Sequence, residues 1–245
     1  VLCTRGGLSS NMSSSSGIKL AAIVPAAGTG SRMQSEQPKQ FIQVQSQPLL
    51  SHTLAAIQRS PQVQRVFVAV NPAALALYPD WPSHVETVNG GKTRAESVLA
   101  GLIEAERQGF SHALVHDAAR PCLPLKVLCN VIEQGTSQDQ GAIVALPVRD
   151  TLKRAHPDRA TISSTVSREL LWQAQTPQVF AIKPLIAAIN KMGVAHPELT
   201  DEASAMEFAG YHPHLVMGSY KNIKVTFPED IELVSYYLNE EINHS

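Results

Sequence analysis

The sequence predicts one α/β domain, a mostly parallel mixed sheet flanked by helices, and three observations carry that prediction. Short apolar or β-branched runs alternate with stretches of helical periodicity, the pattern of right-handed βαβ units. The chain of 245 residues is long enough to bury one ample core without disulfide or metal staples. No internal repeat and no Pro/Gly/Ser linker divides it after its first residues.

In chain order, residues 1–17 (VLCTRGGLSSNMSSSSG) hold no continuous apolar segment, and serine and glycine build no core. They are expected to form a disordered leader, with the folded domain spanning 18–245. Strands are expected at Leu20–Val24, Arg65–Val70, Ala113–Val115, Ala142–Leu146, Gln178–Ile182 and Ile223–Thr226. Helical faces lie between them. Leu50, Leu54 and Ile57 share one after Pro48. Val98, Leu99, Leu102 and Ile103 share another, opened by a capping box at Thr93-Arg94-Ala95-Glu96. Val127, Leu128, Val131 and Ile132 form a third. Residues 147–170 resist the scheme. They are polar, carry Arg149, Lys153, Arg154, Arg159 and Arg168, and space threonines as a strand would. A strand pair here has no apolar face to bury at home, so it is either a surface hairpin or a contact arm.

Composition excludes several functions. Twenty basic against 21 acidic residues give a net charge of −1, not the basic excess of a nucleic-acid binder. Aromatic residues make up 5% of the chain, and Trp81 and Trp172 stand alone, so no base-stacking platform is expected. No run approaches 18 apolar residues, which argues against a membrane span. Cys3, Cys122 and Cys129 contain no C-x-x-C pair, which argues against a disulfide scaffold and for a reducing, cytoplasmic compartment. His212-Pro213-His214 lacks a Cys or acidic partner at metal-ligand spacing, and there is no G-x-S-x-G elbow.

The chemistry-bearing residues begin where the first strand ends, at Pro25-Ala26-Ala27-Gly28-Thr29-Gly30-Ser31-Arg32-Met33, with Pro38-Lys39-Gln40 following. The spacing fits neither the dinucleotide fingerprint nor the P-loop. Arg32 and Lys39 are the only Lys or Arg between Lys19 and Arg59, and both flank the glycines. A phosphate chain there would meet backbone donors, a guanidinium fork and a point charge. The alternative is a glycine turn with two solvated cations. Asp117 ends an apolar run, where open parallel sheets place ligands; it is either a carboxylate near a metal ion or a helix cap. Ser97 reads as a small residue in a helix's first turn. Thr200 either caps a helix starting at Thr200-Asp201-Glu202-Ala203 or donates to an anion. His116 reads as a hydrogen-bonded structural residue rather than a base.

In order, A-A-G-x-G-x-R-M, P-K-Q, Gly90-Gly91 with Arg94 and Ser97, His116-Asp117-Ala118-Ala119-Arg120-Pro121, Pro147-Val148-Arg149-Asp150-Thr151, Thr176-Pro177-Gln178, Thr200-Asp201-Glu202-Ala203-Ser204 and Asn222-Ile223-Lys224-Val225-Thr226 resemble the sugar-phosphate nucleotidyltransferases. Within that superfamily they are most similar to the 2-C-methyl-D-erythritol 4-phosphate cytidylyltransferase family. The resemblance covers about residues 19–240. It implies a Rossmann-like nucleotidyltransferase domain and transfer of CMP from CTP to methylerythritol phosphate, with release of pyrophosphate. It implies Arg32, Lys39, Arg168 and Lys224 as catalytic, and Pro25, Ala26, Ala27, Gly28, Gly30, Gly91, Ser97 and Ala118 as CTP contacts. Arg120, Thr151, Thr176 and Thr200 would contact the second substrate, and Asp117 would stand beside Mg²⁺ or another divalent cation. It also implies a homodimer in which the arm 147–170 carries Thr151 and Arg168 into the neighbour's site. The chain departs from the family at Lys92, Met217 and Lys221, where acidic residues are common. Related readings are a cytidylyltransferase for another polyol phosphate, such as ribitol 5-phosphate, or a uridylyltransferase for hexosamine phosphates, whose long trailing domain is missing here. A reading of another class is a nucleotide-binding regulatory protein without turnover, which would be expected to lose Arg32 and Lys39.

Overall fold

The computed structural model describes residues 17–28, 38–78 and 81–243. β1 (Leu20–Pro25) explains the architecture: Leu20, Ala22 and Val24 join one buried cluster while Ala21 and Ile23 join another. Side chains alternate across a strand, so an uninterrupted apolar run marks a strand covered on both faces. A two-residue hairpin pair, β2 (Gln43–Val44) and β3 (Gln47–Pro48), leads into α1 (Leu49–Gln58). There follow β4 (Val63–Val70), β5 (Val85–Asn89), α2 (Arg94–Arg107), β6 (His112–Val115) and α3 (Leu125–Ser137). Then come β7 (Ala142–Pro147), β8 (Leu152–Ala155), β9 (Ile162–Val166), β10 (Trp172–Ala181), α4 (Ile182–Met192), α5 (Glu202–Phe208), β11 (His214–Met217) and α6 (Asp230–Asn243).

The main sheet has seven strands in the order β11-β7-β10-β6-β1-β4-β5. β1 pairs in parallel with β4 and β6, β4 with β5, and β11 with β7; β10 is antiparallel to both its neighbours. This is the mostly parallel mixed sheet expected. α1 and α3 bury Leu50, Leu54, Ile57, Leu128 and Val131 on one face, and α2, α4 and α5 bury Val98, Leu102, Leu185 and Met206 on the other. Gly101 lets α2 lie against β1, since a Cβ there would stand 2.6 Å from Ile23 Cγ2. α6 adds a third cluster, in which Val234 and Leu238 pack with Val44, Leu49, Ala119 and Val225.

The capping box at Thr93 and Glu96 forms as read, a motif whose cap contributes about 1 kcal/mol. Some expectations are corrected. Ile103 is exposed rather than on the buried face of α2, because Gly101 and Ala105 take up the contact with the sheet. Ile223–Thr226 is not a strand of the sheet; Val225 N–H donates to Ala119 O at 2.8 Å and its side chain is held by α6. The strand expected at Gln178–Ile182 begins at Trp172, and Ile182 opens α4. Within 147–170, β8 and β9 pair only with each other, as a separate antiparallel sheet.

Candidate active site

The carboxyl ends of β1, β5 and β6 converge on a cavity of about 290 Å³. Pro25, Ala26, Ala27 and Gly28 leave β1 to form one wall, held by Gln40, whose Nε2 donates to Ala26 O at 2.6 Å and Gly28 O at 3.1 Å. Lys39 precedes Gln40 on a single 3₁₀ turn, Lys39–Phe41, and its Nζ donates to Val225 O at 3.1 Å. The opposite wall is Gly91, Lys92, Thr93, Arg94 and Ser97, from the turn into α2. Ser97 Oγ accepts Gly91 N–H at 3.1 Å and donates to Thr93 O at 3.0 Å, so it pins the double glycine while lining the cavity. Gly90 must be glycine because a Cβ would collide with the side chain of Ala27.

Asp117 stands at the floor, 6% exposed. Its Oδ1 receives Arg94 Nε at 3.0 Å, and its Oδ2 receives Lys224 Nζ at 2.9 Å and Arg120 Nε at 3.3 Å. Burial opposes its ionisation, but Arg94, Lys224 and Arg120 overcome that and hold its carboxyl well below the usual carboxylate range. No helix starts here, so the cap reading of Asp117 is excluded. Arg94 spends the rest of its fork on Glu202, at 2.7 Å and 3.1 Å. Burial works against the Arg94 charge, yet Glu202 and Asp117 more than offset it and keep the group protonated. The sequence reading assigned no role to Arg94 or Glu202. Their signal was present: Arg94 opens α2 beside the double glycine and Glu202 lies in the TDEAS motif.

A second cavity of about 260 Å³ adjoins the first, sharing Arg94, Asp117 and Lys224 and adding Arg120, Gln175, Thr176, Gln178, Thr200 and Asp201. Arg120 NH1 donates to Asn222 O at 2.8 Å, and Asn222 Nδ2 donates to Thr176 O at 2.8 Å. The N-cap of α5 is Asp201, not Thr200, which leaves the exposed Thr200 on the cavity wall. His116 is fully buried between Thr176 Oγ1 (2.9 Å from Nδ1) and Arg120 O (3.0 Å from Nε2). Burial first, with the nearby Arg120 and Arg94 charges, pushes its pKa down to about 4, so the ring is neutral near pH 7.

The structure thus brings Pro25, Ala26, Ala27, Gly28, Lys39, Gly91, Ser97, Asp117, Ala118 and Lys224 to the first cavity, and Arg120, Thr176 and Thr200 to the second. Gly30 and Arg32 lie outside the described residues. Thr151 and Arg168 are exposed on the segments flanking β8 and β9 and line neither cavity. Among the described residues, no group of three or more His, Cys, Asp or Glu could hold a metal ion.

Two adjoining cavities at the strand ends, joined by cations around one carboxylate, define an α/β protein that brings two anionic groups together, as nucleotidyltransferases do. Residues 20–240 match the family described as 2-C-methyl-D-erythritol 4-phosphate cytidylyltransferase (IspD), and the chain belongs to that family. The protein of that name from Idiomarina loihiensis is 50% identical over 234 residues, 91% of this chain and 92% of its own. The one from Shewanella halifaxensis is 47% identical over 227 residues, 91% of this chain and 97% of its own. A crystal structure of the Francisella tularensis enzyme of that name superposes with a TM-score of 0.78 at 30% identity, covering 89% of this chain and 99% of that one. A crystal structure of a 4-diphosphocytidyl-2C-methyl-D-erythritol synthase gives 0.76 at 38% identity, covering 91% and 99%.

Proposed function

We propose that this protein transfers CMP from CTP to 2-C-methyl-D-erythritol 4-phosphate, forming 4-diphosphocytidyl-2-C-methyl-D-erythritol and pyrophosphate in non-mevalonate isoprenoid biosynthesis. The observation that carries this reading is the shared wall of Arg94, Asp117 and Lys224 between two cavities. The first cavity suits a nucleoside triphosphate, and the second a smaller phosphate. An oxygen of the substrate phosphate attacks the α-phosphorus of CTP, the new P–O bond forms, and the bond to the β-phosphate oxygen breaks to release pyrophosphate. The phosphate nucleophile is already ionised, so no general base is needed. The chain's task is to offset negative charge and align the groups. Lys39 and Lys224 act there directly, Arg32 would supply a further cation by the family resemblance, and Ser97 and Gly91 meet the base and ribose.

CTP arrives with a divalent cation, Mg²⁺ by preference. Asp117 is the carboxylate lining the first cavity, and both its oxygens already face cations. That donor set fits a cation held mainly by phosphate oxygens with one protein carboxylate nearby, not a protein cage. Bound, the cation would neutralise phosphate charge.

The working unit in this reading is a cytoplasmic homodimer, with β8 and β9 reaching into the neighbour. Support comes from exposed apolar side chains on and beside the arm: Leu170 is 89% exposed and Ile162 63%, costly surface for a lone chain. Thr151 and Arg168 would then serve the partner's second cavity. The reading is tested by pyrophosphate release with CTP and Mg²⁺ across methylerythritol, ribitol and hexosamine phosphates. Release with methylerythritol phosphate at least tenfold faster than with the others is expected; no release with any of them refutes it.

A further inference from the structure

Arg94 and Glu202 face each other from the first turns of α2 and α5. A cation at the start of a helix stands at the unfavourable end of the helix dipole, whereas a carboxylate there stands at the favourable one. Arg94 is held in that place by two carboxylates. Its Nη1 and Nη2 donate to the two Glu202 oxygens at 2.7 and 3.1 Å, and its Nε donates to Asp117 Oδ1 at 3.0 Å. Glu202 is 2% exposed, and among the described residues its carboxylate bonds to Arg94 alone. Gln178 fixes the backbone on either side of it: Nε2 donates to Asp201 Oδ2 at 2.8 Å, and Oε1 accepts Ala203 N–H at 2.9 Å. Lys224 and Arg120 share the other Asp117 oxygen. Without Glu202, three cations would crowd one carboxylate.

We infer that Glu202 is a positioning residue that keeps Arg94 off the phosphate groups of both substrates, so that Arg94 braces Asp117 instead of binding an anion. Arg94 lines both cavities, and an arginine there would ordinarily take a phosphate with its fork. Here the fork is spent on Glu202, and two carboxylates in contact offset its single positive charge. A phosphate therefore meets stronger attraction at Lys224 and Arg120, which share one carboxylate oxygen between them. Arg94 in turn fixes Asp117 Oδ1 and leaves Oδ2 to set those two cations. The consequence for turnover rests on the proposed cytidylyl transfer. A freed Arg94 would draw the substrate phosphate toward α2, binding it more tightly but out of line with the α-phosphorus.

The test is steady-state kinetics with CTP, Mg²⁺ and methylerythritol phosphate in wild type, Glu202→Gln, Arg94→Met and the double variant. Glu202→Gln keeps the side chain's shape and removes its charge. Its kcat is expected to fall about tenfold or more, and its KM for methylerythritol phosphate to fall about threefold. A partly unfolded preparation lowers kcat but leaves KM in place, so an unchanged or raised KM overturns the inference, as does an unchanged kcat. In the Arg94→Met background there is no guanidinium to free. There Glu202→Gln should change KM by less than about twofold, and a larger fall overturns the inference, since Glu202 would not be acting through Arg94. A check on the wild-type chain needs neither a folded variant nor turnover. The bidentate pair should slow rotation of the Arg94 guanidinium and give resolved Nη signals in ¹⁵N-arginine spectra, and added inorganic phosphate should leave them in place. Signals that are merged in the free chain, or that move with phosphate, overturn the inference. A wild type that releases no pyrophosphate removes the functional reading, while this spectrum still decides the placement of Arg94.

Discussion

Replacing Asp117 with asparagine keeps the shape of the site and removes the one charge that binds three cations. Arg94, Lys224 and Arg120 stand 3.0, 2.9 and 3.3 Å from its oxygens. Stripping one partner from a buried ion pair costs about 3–5 kcal/mol. Here the Lys224 side chain is 38% exposed and that of Arg94 29%, so both can turn partly to water, and Glu202 still holds Arg94. Discounted for that screening, the loss is about 2–3 kcal/mol. For a chain of this length each kcal/mol moves Tm by about 2–4 °C, so a fall of about 5–10 °C is expected. The same cations, freed of their carboxylate, should favour a triphosphate. CTP with a chelator present should therefore raise the Tm of Asp117→Asn more than that of the wild type, and added salt should shrink the difference. Thermal unfolding with and without CTP reads both effects. A Tm within about 2 °C of wild type, or a CTP shift no larger than the wild type's, would falsify the picture of Asp117 as the tie between these cations.

Lys39→Ala should lower kcat by about a hundredfold or more while CTP binding by calorimetry is partly retained, because a group acting on developing phosphate charge contributes mainly in the transition state; an unchanged kcat rules that role out. Mixing Arg168→Ala protein with Lys39→Ala protein should restore part of the activity if the arm crosses over, since hybrid dimers carry one site with both residues intact. Demonstrated subunit exchange without recovery counts against shared sites. Stability should also fall on the acid side in two stages. The folded chain holds His116 at about 4 against an ordinary 6.5, so below pH 6.5 the unfolded chain takes up a proton that the folded chain refuses, and stability declines until about pH 4. Asp117, whose folded pKa is lowered from its ordinary 3.8, contributes fully above that value and loses its contribution only below it. Urea unfolding of wild type and His116→Asn from pH 7 to 4 checks the first stage; identical slopes for the two proteins would refute it.

The sequence carried the inner fold well and its edges poorly, for a physical reason. β1, β4, β6 and β7 are apolar over most of their length because both faces are covered, and that burial is visible as runs such as LAAIV, VFVAV, ALV and AIVAL. β5 and β11 lie at the two edges of the sheet, where VETVN and HLVM need bury only part of their surface, and they leave no comparable trace. β10 carries Gln175, Thr176 and Gln178 along a cavity wall, so its first half reads as loop. Ile223–Thr226 misleads in the opposite direction: its alternation is that of a strand, but Val225 is buried against α6 and Ala119 rather than by a sheet partner.

The site divides in the same way. Lys39, Asp117 and Lys224 were legible because each adjoins a recognisable strand end or motif, and a charge in such a place has little else to do. Glu202 was not, because what makes it matter is a contact 108 residues away in sequence, with Arg94. A net charge of −1 likewise excludes a polyanion-coating surface but says nothing about where charges gather. Of the described residues lining the two cavities, Lys39, Lys92, Arg94, Arg120 and Lys224 are cationic and Asp117 and Asp201 anionic, with Glu202 paired to Arg94 beside them. A local excess of cations therefore sits inside a nearly neutral chain, as a site that must hold two phosphate groups requires.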